Sequence, residues 1–293
     1  MGYVFAIITS FFFTAYVVPK KLSGQTPYRY SLFQGMGFFA AAAVMYVIIQ
    51  LTNPVPGDSL FNPMLLLSAL AGVVWFCAST LFMIGIDKIG LSRANQWKNL
   101  QGPCGAVFNL LFLAEYKSTN VLFVALASLL LLASAMLFNI KNKTEKSSHN
   151  SGIICALISA VLFALYAVFQ KNATNHGLIH SQIVYVSLFV FLSALVFIAI
   201  KEKSLSCLKE TFTKDNLMGI LGGALFYLAS FFAIKSYNLL PGSVTFTIIQ
   251  LNSVWTVLIG ILIFKEIDFR KNWIRICVGI LTALAGIVML MLM

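Results

Sequence analysis

"GYVFAIITSFFFTAYVVPKK", Gly2 to Lys21, and "GIICALISAVLFALYAVFQK", Gly152 to Lys171, align at an offset of 150, pairing Gly2 with Gly152, Phe13 with Phe163, Tyr16 with Tyr166 and Lys21 with Lys171. Apolar strings also resemble one another by chance, so a second match matters. At an offset of 151, Ala78 and Ser79 meet Ala229 and Ser230, Ser92 meets Ser243, Leu100 meets Leu251, and Glu115 meets Glu266. Self-similarity at a fixed offset points to a duplicated unit. The two copies are residues 1–140 and 151–293, joined by the polar linker of residues 141–150.

Of the 293 residues, 60% are hydrophobic and 10% charged, and the mean hydropathy is +0.91. That balance is wrong for a soluble domain and right for a polytopic membrane protein. Apolar runs of roughly 20 residues, the length that crosses about 30 Å of hydrocarbon, are predicted at 3–19, 31–51, 64–86, 92–113, 119–139, 151–170, 181–200, 216–237, 243–264 and 273–293. The runs are continuous rather than alternating, which disfavours a membrane barrel.

Five runs per copy is an odd number, so the second copy enters the membrane from the opposite side. The fold expected is an all-α integral membrane protein of ten transmembrane helices in two inverted five-helix repeats. Secondary transporters use this architecture, with the substrate near the midplane between the halves.

A net charge of +11 suggests nucleic acid in a soluble chain, but here the basic residues sit in short connections. Sixteen Lys and Arg lie in or beside the loops after the first, third, fifth, seventh and ninth runs, against three after the even-numbered ones. The positive-inside rule puts the odd loops in the cytoplasm and both termini outside, in a cell's inner (plasma) membrane, with lipid rather than nucleic acid as partner. The first run lacks a basic leader and a small-residue cleavage site, so it reads as a retained helix. Five cysteines, all but Cys207 in apolar runs, make a disulfide framework improbable.

"LSRANQWKNLQGPCGAVFN", Leu91 to Asn109, is the polar exception among the runs. At about 100° per residue, Ser92, Asn95, Lys98, Asn99, Gly102, Ala106 and Asn109 fall in one stripe. Polar groups are costly against lipid, so the stripe should face protein or a wet cavity. Bonding to neighbouring helices is the plain alternative. The matching run of the second copy, "GSVTFTIIQLNSVWTVLIG", sets Gln250 opposite Asn99, Asn252 opposite Gln101 and Ser253 opposite Gly102. Polarity at the same level in both copies favours a shared cavity.

Pro103 lacks an N–H and should leave a carbonyl near Asn99 without its usual partner. Pro19 is expected simply to close the first run. Lys98 lies roughly 9 Å in from Ser92 at about 1.5 Å per residue, near enough to snorkel to the cytoplasmic surface. It can equally attract an anionic or hydroxyl-rich substrate, or bond a carbonyl.

Thr9, Phe13 and Tyr16 share a face, as do Ser159, Phe163 and Tyr166, and Trp75 corresponds to Phe226. Such stripes serve packing more often than binding, although paired tyrosines suit a hydroxylated ligand. No Walker A loop, metalloprotease helix or nucleophile elbow occurs. No enzyme activity, cofactor or metal is expected. "NKT" at Asn142 and "NAT" at Asn172 match the glycosylation triplet, and the charge pattern leaves only the second outside.

Ten helices in inverted halves, each half with a helix ending in glutamate ("LLFLAEY", "ILIFKEI"), resemble the drug/metabolite transporter superfamily, the EamA-like fold. The small-residue-rich "GILTALAGIVML" is similar to its last helix. "AYVVPKK" followed by "LFQGMGFF", and "KIGLSRANQW", resemble the glucose/ribose porter branch. The resemblance implies alternating access without ATP and, for the branch, uptake of a sugar or polyol, often with a coupling proton or ion. Lys98, Trp97 and the Gly-Pro pair depart from a sugar porter.

The expected function is a secondary transporter of a small polar metabolite. Its substrate contacts would be Asn95, Lys98, Asn99, Gln250 and Ser253, walled by Tyr16, Tyr166 and Trp75. An exporter or exchanger of amino acids, organic anions or drugs, and a non-transporting receptor or assembly protein, are the alternatives. Monomer and homodimer remain equally open.

Overall fold

The computed structural model describes residues 1–137, 150–265 and 269–292; residues 141–149 of the linker and Glu266 lie outside these. The described residues are helical throughout, with no strand. In chain order the helices are α1 (Gly2–Ala15), α2 (Val18–Leu22), α3 (Pro27–Thr52), α4 (Leu65–Ile89), α5 (Leu91–Lys98), α6 (Gln101–Phe112), α7 (Val121–Leu137), α8 (Asn150–Asn175), α9 (Ser181–Glu202), α10 (Lys214–Tyr237), α11 (Gly242–Ile249), α12 (Asn252–Leu262) and α13 (Phe269–Met291). Among the described residues eight stretches are long and apolar enough to cross a membrane, counting α1 with α2 and α11 with α12 as single stretches.

Three of the predicted continuous runs are broken in two. Between α5 and α6, the Asn99 carbonyl that Pro103 cannot reach accepts the Gly102 N–H at 3.0 Å, a tighter turn that leaves no orphan. Between α11 and α12 no proline is present. There the Gln250 carbonyl takes the Ser253 N–H at 3.1 Å and the Ser253 hydroxyl at 2.9 Å, which does the same work.

The expectation for Pro19 needs correcting. The chain kinks at Tyr16 and Val17, and Pro19 sits in the first turn of α2, where a missing N–H is no loss. The Tyr16 carbonyl accepts the Tyr30 hydroxyl at 3.0 Å.

Helices of the N-terminal half interleave with those of the C-terminal half. α4 packs on α8 and α9, α10 on α1 and α3, and α7 on α13. Close approach depends on small residues, as in other membrane bundles. A Cβ on Gly72 would stand 2.5 Å from the Val186 carbonyl oxygen and 2.8 Å from the Phe189 Cβ. Gly72→Val is therefore expected to force α4 from α9 and to destabilise the protein by about 1–3 kcal/mol. A lowered unfolding temperature in detergent would report this, and an unchanged one would contradict so close a crossing.

Candidate functional site

α5–α6 runs antiparallel to α11–α12, and the two breaks face each other. Asn95 Nδ2 donates to Thr256 Oγ1 at 3.1 Å, Gln101 Nε2 to Gln250 Oε1 at 3.2 Å, and a Cβ on Gly102 would lie 2.6 Å from Gln250 Cγ. The Gln250 amide also donates to the Phe246 carbonyl at 2.9 Å. Gln250 and Ser253 thus spend their polar atoms inside the helix pair. Asn99 does not: both of its amide atoms are buried with no hydrogen-bond partner.

Beside this crossing lies an aromatic cluster built from α1, α3, α4, α8 and α10. Trp75 meets Phe226 with ring centroids 4.3 Å apart, Tyr16 meets Phe226 at 5.1 Å and Trp75 at 6.4 Å, and Trp75 meets Phe163 at 6.3 Å. Helical spacing sets the lining. Trp75, Ser79 and Phe82 share one face of α4, and Ser159, Phe163, Tyr166 and Gln170 share one face of α8.

Buried polar atoms are ordinarily paired, yet here Tyr16 Oη, Trp75 Nε1, Ser79 Oγ, Ser159 Oγ, Tyr166 Oη and Ser230 Oγ have no partner of good geometry. Such a concentration of unused donors and acceptors around apolar ring faces is how sites for small polar molecules are built.

Lys98 does not snorkel. Its side chain turns inward and is only 2% exposed, with Nζ 4.7 Å from the Phe82 ring centroid and 5.6 Å from that of Phe163. Among the described residues no carboxylate lies within ion-pair distance of it. A cation at membrane depth costs about 2.5–3.5 kcal/mol by insertion scales, and the two ring faces offset part of that.

Of the eight residues singled out from sequence, Tyr16, Trp75 and Tyr166 belong to the cluster, Lys98 reaches its Phe163, Asn99 sits at the break that follows Lys98, and Asn95, Gln250 and Ser253 tie the helix pair beside it. None is more than 5% exposed, so the cluster is closed to solvent. Ser79 and Ser230 were visible only as an aligned pair at the 151 offset. Asn252, whose amide atoms are also unpartnered, was visible only as the counterpart of Gln101.

Contacts between the N-terminal and C-terminal halves close both ends. At one end Arg29 grips Glu202 through two bonds of 2.9 and 3.0 Å, and Gln25 bonds Asn216. At the other, the Asp58 carboxylate accepts the His180 N–H at 2.6 Å and the Ser181 N–H at 3.0 Å, capping α9, and also takes the Ser181 hydroxyl. The His180 ring stacks on Phe231, 5.8 Å between centroids.

Burial lowers the pKa of His180 below its ordinary value; Asp58 opposes this and Lys235 adds to it. The unfolded chain therefore binds this proton more tightly than the folded one, and stability is lost as pH falls below about 6.5, the ordinary histidine value. The unfolding temperature should fall more for the wild type than for His180→Gln between pH 7.5 and 5.5. Parallel curves would count against the latch.

The profile of the Sugar transport protein family matches residues 55–293. A glucose uptake protein GlcU of Staphylococcus xylosus is 24% identical over 96% of this chain and 94% of its own length. A probable glucose uptake protein GlcU of Priestia megaterium is 22% identical over 99% and 98%. The Bacillus subtilis glucose uptake protein GlcU is 21% identical over 99% and 98%. One solved crystal structure superposes with a TM-score of 0.70 at 12% identity, covering 98% of this chain and 95% of that one, which speaks to fold alone.

Proposed function

The chain belongs to the Sugar transport protein family, and from that premise we propose that it is a secondary transporter carrying a sugar, polyol or similar small polar metabolite by alternating access, without ATP. The observation that carries the reading is the occluded cluster. Unpartnered polar groups surround aromatic faces at the centre, and separate sets of contacts seal the two ends. A carrier caught between its inward-open and outward-open forms has this arrangement.

Several contacts support the ten-span inverted repeat and, with it, membership of the drug/metabolite transporter superfamily. Residues equated by the offsets meet one another: the Trp75 ring lies tilted against Phe226, and the break at Asn99 faces the break at Gln250. Packing is paired in the same way, with α4 on α8 matched by α10 on α1. The charge bias supports a plasma-membrane orientation with the Arg29–Glu202 end in the cytoplasm and the Asp58–His180 end outside. The relatives' names point to glucose as the first substrate to test.

Purified protein in proteoliposomes preloaded with unlabelled glucose should accumulate external labelled glucose transiently, the overshoot of counterflow. Absence of any overshoot with glucose, ribose and glucitol would sink the reading.

A further inference from the structure

We propose, on the strength of that transport reading, that the central site takes a monoanionic sugar acid, its carboxylate held by Lys98 and its hydroxyls by the free amide and hydroxyl groups around the cluster. Lys98 Nζ is enclosed between Phe82 and Phe163, one ring away from Trp75. Asn99, next to it in the chain, and Trp75, on the far side of Phe163, hold their Nδ2 and Nε1 donors unpaired.

The other acidic groups nearest the core are committed elsewhere. Asp58 caps α9, Glu115 accepts the Gly242 and Ser243 N–H groups, and Asp87 pairs with Lys20. Among the described residues, Lys98 is thus left without a counter-charge at a buried position, where an uncompensated charge is costly. A ligand carboxylate supplies that charge and makes the loaded centre neutral.

The match is one to one. Lys20 is occupied by Asp87 and the Gln25 carbonyl, and Lys171 by the Tyr237 and Leu240 carbonyls. A phosphorylated sugar brings about two charges near neutral pH and would be left half-paired, whereas a uronate or aldonate is balanced. The aromatic faces of Trp75 and Phe226 suit the apolar face of a pyranose ring in either case.

The test is competition against labelled glucose uptake by the full-length protein in proteoliposomes with the membrane potential clamped at zero. Unlabelled glucuronate should compete at least about tenfold more strongly than unlabelled glucose, with glucose 6-phosphate weaker than glucuronate. In Lys98→Gln that ratio should collapse towards one, and Lys98→Arg should keep it. Wild-type glucose competing as well as glucuronate, glucose 6-phosphate outcompeting it, or a ratio indifferent to Lys98→Gln in a normally folded sample would each overturn the proposal. The wild-type and Lys98→Arg arms decide it should Lys98→Gln not fold. Uptake of glucose that glucuronate fails to displace defeats this inference alone; no uptake of any sugar, neutral or acidic, defeats the transport reading with it.

Discussion

Asn99→Ala is expected to lower sugar uptake about one hundredfold while leaving the unfolding temperature unchanged or slightly raised. Both amide atoms of Asn99 are buried and unbonded, so the substitution removes no protein hydrogen bond. It instead relieves a desolvated polar group, whose burial without a partner costs about 1–3 kcal/mol. The same two atoms are free for a ligand. Losing two bonds of about 1.4 kcal/mol each weakens binding about a hundredfold, since each such step is a factor of ten.

The stability measurement is what separates a binding residue from a packing one. Uptake at the wild-type level would remove Asn99 from the site; lost uptake with a sharply lowered unfolding temperature would make it structural. Gln250, its counterpart in the repeat, bonds Phe246 and Gln101, so truncating it takes bonds from the fold itself.

The opposite behaviour is expected at Glu115. This residue opens a short 3-10 turn after α6, and its side chain is buried. Its two carboxylate oxygens accept the Gly242 and Ser243 N–H groups at 2.6 and 2.9 Å, capping α11 in the other half of the chain. The partial positive charge of a helix start favours an anion there. Lys171, within electrostatic reach, is held by two carbonyls of the same connection.

Glu115→Ala strands two buried N–H groups and deprives Lys171 of nearby negative charge, at a cost of about 3–4 kcal/mol. Glu115→Gln, which keeps one acceptor oxygen, should fall between. Thermal unfolding in detergent ranks the three proteins, and equal midpoints would refute the cap.

Sequence carried the architecture further than the site. Length and hydropathy alone mark the long helices, because crossing hydrocarbon sets their span whatever they pack against. The polar stripe of Asn95, Lys98 and Asn99 was legible because helical periodicity places those residues on one face. Which of its members bond within the protein was not legible, since that depends on partners such as Thr256, 161 residues from Asn95.

The breaks were only half visible. Pro103 announces one, but the break at Gln250 needs only a serine hydroxyl, and Tyr16 relies on Tyr30 from the next helix. The Asp58 latch left no trace in sequence, because a lone loop aspartate says nothing of a helix start 123 residues away. Lys98 was ambiguous for a related reason. Depth along a helix gives reach to the surface, whereas the enclosing rings of Phe82 and Phe163 come from other helices.

The paired interruptions at Asn99 and Gln250 also divide the bundle horizontally. α5 and α6 are separate rods, as are α11 and α12, and the regular hydrogen-bond ladder between each pair is already interrupted. One rod of each pair can therefore pivot while the other keeps its grip on its neighbours, with little further loss of backbone bonding. On the transport reading proposed above, each break would be the hinge pin about which one mouth swings open while the opposite mouth stays shut.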